Sequence, residues 1–200
     1  MQDHASDLNL RIAAQVRELR ARGRLSLETL AARAGVSRSM ISLIERGECS
    51  PTAVVLDKLA AGLNVPLASL FEVSTEPSRT PNGPVARRAD QAEWQDPASG
   101  YRRRSVSPAG RPQPMQITEI HFPPKARVAF ETGPRETVVY QQIWVLAGAI
   151  DVTIESERHR LREGDCLAMQ LDAPTMFYNP TSKPARYAVV TVGEIRARKG

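Results

Sequence analysis

Between residues 26 and 43 the chain carries four serines, Ser26, Ser37, Ser39 and Ser42, the last three closely flanking the guanidinium of Arg38. Hydroxyls and an arginine are the groups that hydrogen-bond phosphate oxygens and base edges. Groups for other chemistry are scarce. The three histidines, His4, His121 and His159, lie far apart and leave little material for a metal site. The two cysteines, Cys49 and Cys166, exclude a disulfide scaffold and a cysteine zinc site. Cys166 lies in an apolar run and is expected in the core, and His159, in a charged run, is expected exposed.

The elements that must position these serines can be read from spacing. Leu8, Ile12, Val16 and Leu19 recur as one face of an amphipathic helix. Ser26 can cap a second helix, with Leu27, Leu30, Ala31 and Ala34 as its stripe. Gly35 follows where a left-handed backbone is usual, and Ser37 caps a third helix. Helix, glycine-containing turn, helix is the helix-turn-helix pattern. The third helix should present Arg38, Ser39, Ser42 and Leu43 opposite Ile41 and Ile44. In such modules its N-terminal end enters the major groove, where Arg38 can meet guanine or phosphate and Leu43 a thymine methyl. Ser26 and Ser37, at helix N-termini, suit phosphate oxygens. Two further stripes follow: Val55, Leu56, Leu59 and Leu63, then Leu67, Leu70 and Phe71 after Pro66.

Residues 73–84 read VSTEPSRTPNGP from Val73 and predict a linker. Beyond Val85, short β-prone runs with turn signals predict a sandwich or barrel. Ala147-Gly148-Ala149 reads as a hairpin turn between two of them. Arg102-Arg103-Arg104 reads as a partly solvated strand face, or as a surface meeting DNA or the helical domain. The net charge of +5 permits a polyanionic partner. The longest apolar or glycine run is eight residues, Ile143 to Ile150, against roughly 20 for a bilayer span. With no basic start and apolar core at the N-terminus, the expectation is a cytoplasmic protein with no membrane partner.

The segment from Leu8 to Glu72, including Glu45-Arg46-Gly47 and Pro51-Thr52, resembles the lambda-repressor-like XRE family of bacterial transcription regulators. The resemblance implies five helices, with Arg38, Ser39 and Ser42 reading DNA. Leu27 departs from the pattern, since family members often carry a phosphate-binding glutamine there.

Gln141 to Gly148, the Gly164-Asp165 turn and Pro174 to Asn179 resemble the cupin family. A subgroup pattern, W-x-D-P-x-x-G-Y, is met from Trp94 to Tyr101. The implied fold class is multidomain. An all-α helix-turn-helix domain (1–72) and the linker precede an all-β cupin (85–200), a double-stranded β-helix or jelly roll. Cupin enzymes carry His-x-His, a later Glu and a further His. Counted from Gly148 and Asn179, those positions fall on Arg135, Thr137, Gln141 and Thr175, or on Pro134 and Glu136 for the first two in the other frame. None of the four suits a first-row metal, so no metal, no cofactor and no enzymatic activity are expected. Arg135, Gln141, Thr175 and Tyr178 instead become candidates for an organic-effector pocket, ringed by Trp144, Met169 or Phe177. Arg135 would suit a carboxylate or phosphate. A filled barrel with a solvated Arg135 is the alternative.

These expectations combine into a sequence-specific regulator, a repressor by the family resemblance. It would bind double-stranded operator DNA as a homodimer and sense a small-molecule effector. The alternatives are a metal-dependent cupin isomerase or dioxygenase with a DNA-binding tether, and an antitoxin-like binding module.

Overall fold

The computed structural model describes residues 3–71, 84–109, 114–131 and 137–195. The helical part contains α1 (Asp3–Arg22), α2 (Leu27–Ala34), α3 (Arg38–Glu45), α4 (Ala53–Gly62) and a 3-10 helix, Leu67–Phe71. Leu8, Ile12 and Val16 are buried with Leu30, Ile41, Ile44, Leu56 and Leu59. Serine and threonine start the short helices by taking up amide protons that have no partner within the helix. Ser26 accepts from the Thr29 N–H at 3.0 Å, Ser37 from Met40 at 3.2 Å, and Thr52 from Val55 at 3.4 Å. Gly35 ends α2 at φ 61°, the left-handed conformation that turns the chain into α3. Ala34 is small because Gly62 approaches it: a Cβ at Gly62 would lie 2.9 Å from the Ala34 Cβ.

The β part is a sandwich of two antiparallel sheets. Its strands are β1 (Glu93–Gln95), β2 (Arg102–Ser105), β3 (Met115–Phe122), β4 (Arg127–Phe130), β5 (Thr137–Ala147), β6 (Ala149–Ile154), β7 (Glu157–Arg162), β8 (Cys166–Gln170), β9 (Thr175–Tyr178) and β10 (Ala185–Ile195). The six-stranded sheet runs β1-β2-β3-β10-β5-β8 and the four-stranded sheet β4-β9-β6-β7. Ile120, Phe122, Ile143, Val145 and Val189 from the first sheet are buried with Val128, Ile150, Val152 and Phe177 from the second.

Three expectations need correction here. The Ala147-Gly148-Ala149 turn does not close a hairpin, because β5 pairs with β8 and β10 whereas β6 pairs with β7 and β9. The chain turns a corner there from one sheet to the other. Gly148 sits at φ 79°, and a Cβ on it would lie 3.0 Å from the Pro184 carbonyl oxygen. Cys166 is exposed, not core, because it lies opposite Trp144 on the outer face of its sheet. His159, expected to be exposed, is half-buried. The 73–84 linker falls outside the described residues except for Pro84.

The two parts touch through the Trp94–Tyr101 segment. Asp96 is buried at the junction, and its Oδ1 accepts from the Ala53 N–H at the start of α4, 2.9 Å away. Its Oδ2 accepts from the Ser99 N–H at 2.8 Å, fixing its own loop. Phe71 lies 5.6 Å from Trp94, centroid to centroid, Trp94 5.9 Å from Tyr101, and Tyr101 6.0 Å from Phe122. The series continues through Tyr187 to Phe177. Ring pairs of this kind add about 0.5–1.5 kcal/mol each beyond the area they bury. Aromatic contact thus runs unbroken from the end of the helical part into the centre of the sandwich.

Candidate functional site

The first candidate surface is the outward side of α3. Ile41 and Ile44 point inward and are fully buried, while Arg38, Ser39 and Met40 are exposed and Ser42 and Leu43 half-buried. Arg38 is 65% exposed and pairs with Glu28 at 3.4 Å, itself 72% exposed, so the guanidinium is held only by a contact that water weakens. Ser26 and Ser37 each accept a capping N–H, which leaves the hydroxyl proton able to turn toward a phosphate oxygen. The Ser37 and Ser39 hydroxyls are 3.2 Å apart. Ser42 accepts from Arg46 Nη1 at 2.5 Å.

Two exposed residues beside these were not anticipated. Met40 adds an apolar contact next to Arg38. Arg46, held by Glu48 at 2.7 and 2.8 Å, adds a second guanidinium at the end of α3. The pattern that placed Arg38 outward, Ile41 and Ile44 being the inward pair, assigns both. Beneath this surface, Arg20 of α1 donates to both Glu45 carboxylate oxygens, at 2.6 and 2.8 Å, and holds the C-terminal end of α3 against α1.

The second candidate is a cavity of about 60 Å³ where the sandwich meets the helical part. A single enclosed water needs about 10–15 Å³ by this measure, so the space suits a molecule of a few heavy atoms. Its helical side is Asp57 of α4 and Leu67. Its polar groups on the β side are Arg103, Gln141, Thr175, Tyr101 and Tyr187, and the rest of its wall is apolar. Gln141 donates to Thr191 Oγ1 at 3.3 Å, and Thr175 donates to the Ala173 carbonyl at 3.1 Å. Burial pushes the phenols of Tyr101 and Tyr187 above their ordinary range, so both remain neutral hydroxyls at physiological pH.

Of the four residues expected in an effector pocket, Gln141 and Thr175 line this cavity together. Arg135 lies outside the described residues. Tyr178 is corrected: it does not line the cavity, because successive strand residues face opposite ways and Thr175 and Phe177 are the inward pair on β9. Trp144 is corrected for the same reason. With Gln141, Ile143 and Val145 inward on β5, Trp144 points out and is 51% exposed.

The cavity's cation comes from the Arg102–Arg104 strand, and of the readings left open for that strand the contact with the helical part is the one met. Arg103 is 7% exposed, not on a solvated face, and its guanidinium carbon lies 4.9 Å from the centroid of the Phe71 ring. Three consecutive arginines suggest a wet strand. The usable signal was parity: Tyr101 and Arg103 are two apart and share a face.

The residues at the four metal-ligand positions implied by the cupin resemblance do not fit a first-row metal. Gln141 and Thr175 are neutral and poorly basic, and Thr137 offers a hydroxyl. Among the described residues, no three His, Cys, Asp or Glu side chains gather into a potential cation site. Nor is any described helix long and apolar enough to cross a membrane.

Comparison with known proteins adds the following. Residues 16–70 match the family HTH_3, helix-turn-helix. The chain is similar to the HTH-type transcriptional regulator SutR of Escherichia coli K12, with 28% identity over 170 residues, covering 84% of this chain and 86% of that one. It is similar in structure to an HTH_3 family transcriptional regulator from Vibrio cholerae, with TM-score 0.72 and 24% identity over 94% of this chain and 98% of that one. A cupin_2 domain of an XRE family regulator from Enterobacter cloacae aligns with 40% of this chain and 81% of its own length, at TM-score 0.37 and 20% identity.

Proposed function

We propose that this chain, which belongs through residues 16–70 to the HTH_3 helix-turn-helix family of DNA-binding transcription regulators and carries a cupin domain behind it, is a homodimeric repressor that senses a small organic molecule. The observation that carries the reading is the free outward side of α3. Arg38, Ser39, Met40 and Ser42 stand where base edges and phosphates would meet them, with Leu43 beside them. Ser26 and Ser37 bind phosphate from the ends of their helices. Operator DNA places the protein's work in the cytoplasm.

One helix-turn-helix module covers only a half-site, so useful specificity needs two copies. A surface suited to pairing lies on the outer face of the six-stranded sheet. Tyr140, Trp144, Met115 and Ile117 are all exposed there. Val190 is the cross-strand neighbour of Ile117 and Gln142, and Val192 of Met115 and Tyr140. These named side chains are uncharged and rich in aromatic and methionine groups, the composition of protein interfaces, and the Trp144 row ends beyond Ala188 in the paired charges of Glu119 and Arg104. A second copy of the same chain fits it, because two like faces without net charge do not repel.

Repression would be relieved when an effector fills the cavity and changes how the two modules sit on DNA. The test is a reporter driven by the protein's own upstream region, in cells with and without the gene. Expression should rise when the gene is removed and fall when it is restored. Expression that drops on removal makes the protein an activator. Stoichiometric iron, zinc or manganese in the purified protein overturns the non-enzymatic reading.

A further inference from the structure

The cavity holds a cation with no described counter-ion. Arg103 donates through Nη2 to the Thr118 hydroxyl at 2.9 Å and stacks on Phe71, and its buried Nε has no hydrogen-bond partner. No described carboxylate pairs with it. Arg104 beside it, by contrast, pairs with Glu119. Burying a guanidinium is costly unless an anion compensates it, and a planar guanidinium matches a carboxylate in geometry. Asp57, across the cavity, has an interaction of its own, although its buried Oδ2 accepts no hydrogen bond. The lining beyond Arg103 includes the apolar Phe122, Val128 and Phe177 together with the phenols of Tyr101 and Tyr187.

We infer that this cavity takes a small organic carboxylate, its anionic end on the Arg103 guanidinium and its short tail against Phe122, Val128 and Phe177, and that Phe71 passes its occupancy to the DNA-binding module. The inference rests on the effector-sensing reading above and gives it a chemical class and a route. The bound anion draws on the same guanidinium that lies over the Phe71 ring. Phe71 ends the 3-10 helix that begins with Leu67, another wall of the cavity, and that packs on α1 and α4. Anything that moves Arg103 therefore moves the base of the helical module. A wholly polar oxyanion such as phosphate could use the cation but not the apolar walls.

The experiment uses the full chain and three probes: butanoate, its neutral isostere butanamide, and inorganic phosphate. Unfolding temperature and affinity for the upstream DNA are measured with each. Butanoate should raise the unfolding temperature and change DNA affinity about tenfold, within the usual range of allosteric coupling. Butanamide and phosphate should do neither. Arg103→Gln should abolish the butanoate response. Phe71→Leu should keep the thermal response and lose the DNA response. The wild-type contrast between butanoate and butanamide decides the ligand class even if Arg103→Gln does not fold. Equal responses to both, or a response to phosphate alone, overturn the carboxylate. A full DNA response in Phe71→Leu overturns the route. If a wider panel of acids, amides and amines gives no response at all, the effector reading itself fails. A response to amides or amines without one to acids sinks only the anion.

Discussion

The Asp96 carboxylate, in the β domain, accepts a hydrogen bond from the backbone N–H of Ala53, the first residue of α4, at 2.9 Å and out of contact with solvent. Forty-three positions separate the two residues, and the segment between them includes the proline-rich stretch. The bond caps a helix with a side chain from another domain. It therefore ties the orientation of the DNA-binding module to the sandwich.

Asp96→Ala should accordingly do two things. It removes a charge-assisted bond to a buried N–H and the two bonds from the Ser99 N–H and hydroxyl that fix its loop, a loss of at least about 1.5–3 kcal/mol. It should also uncouple the parts, so that calorimetry resolves two unfolding transitions where the parent shows one. A single transition at the parent temperature would mean that Asp96 does not join the modules.

Alkaline pH should unfold the protein from the sandwich side. Tyr101 and Tyr187 are buried, and their folded-state pKa values lie above the ordinary value of about 10. Once pH passes that ordinary value, the unfolded chain releases the phenol protons while the folded chain keeps them. The folded state then binds more protons, and stability falls as pH rises. Burial lowers the Arg103 pKa, an effect of opposite sign. Ultraviolet titration should show these two phenols ionising only together with loss of near-ultraviolet circular dichroism. Smooth ionisation with the fold intact would contradict their burial.

The helix-turn-helix was legible because three local signals agree over a short stretch. Ser26 and Ser37 cap, Gly35 turns, and Ile41 and Ile44 mark the inward face; none of these needs a distant partner to be read. The strand class was legible from β-branched runs, but strand destinations were not. Nothing in Ala147-Gly148-Ala149 distinguishes a hairpin from a corner, since both ask for a left-handed glycine. Only the close approach of Pro184 to Gly148, set by chain 36 positions away, decides it. Strand parity separates Trp144 from Gln141 and Tyr178 from Thr175. The contact of Arg103 with the helical part was one of two open readings, and local sequence could not choose between them. A guanidinium is buried when a neighbouring element covers it, and the cover is Phe71, a ring from the other domain.

Arg38→Ala separates binding from folding. The side chain is mostly in water and its pairing with Glu28 is exposed, so thermal stability should stay unchanged. Affinity for the operator should fall by about 1–3 kcal/mol if Arg38 contacts a base, and specificity at that position should relax. Loss of a phosphate contact alone would weaken all sequences equally and lower the salt dependence by about one unit. Gel-shift titration at several salt concentrations tells the two apart, and unchanged binding at every sequence removes Arg38 from the interface. Glu45→Ala is the control of opposite kind. It strips Arg20 of its carboxylate partner beneath α3 and should cost stability first.

Trp144→Glu tests the proposed pairing and should prevent it without harming the fold. The indole is half in solvent and points away from the core, so a carboxylate there costs the monomer little. In a two-fold pair the same change places two like charges on facing surfaces and removes an aromatic anchor. Light scattering should report a dimer for the parent and a monomer for the variant, with operator affinity falling at least tenfold because two half-sites are no longer engaged together. Cys166 gives an independent readout. It is the cross-strand neighbour of Trp144 and exposed in the single chain, so pairing should cover it. Cys49 lies elsewhere, half-buried, with its thiol pKa raised by burial and by Glu48. Iodoacetamide near neutral pH should therefore label Cys166 slowly in the parent and quickly in Trp144→Glu, while Cys49 stays slow in both. Rapid labelling of Cys166 in a parent that scatters as a dimer would move the interface to another face of the sandwich.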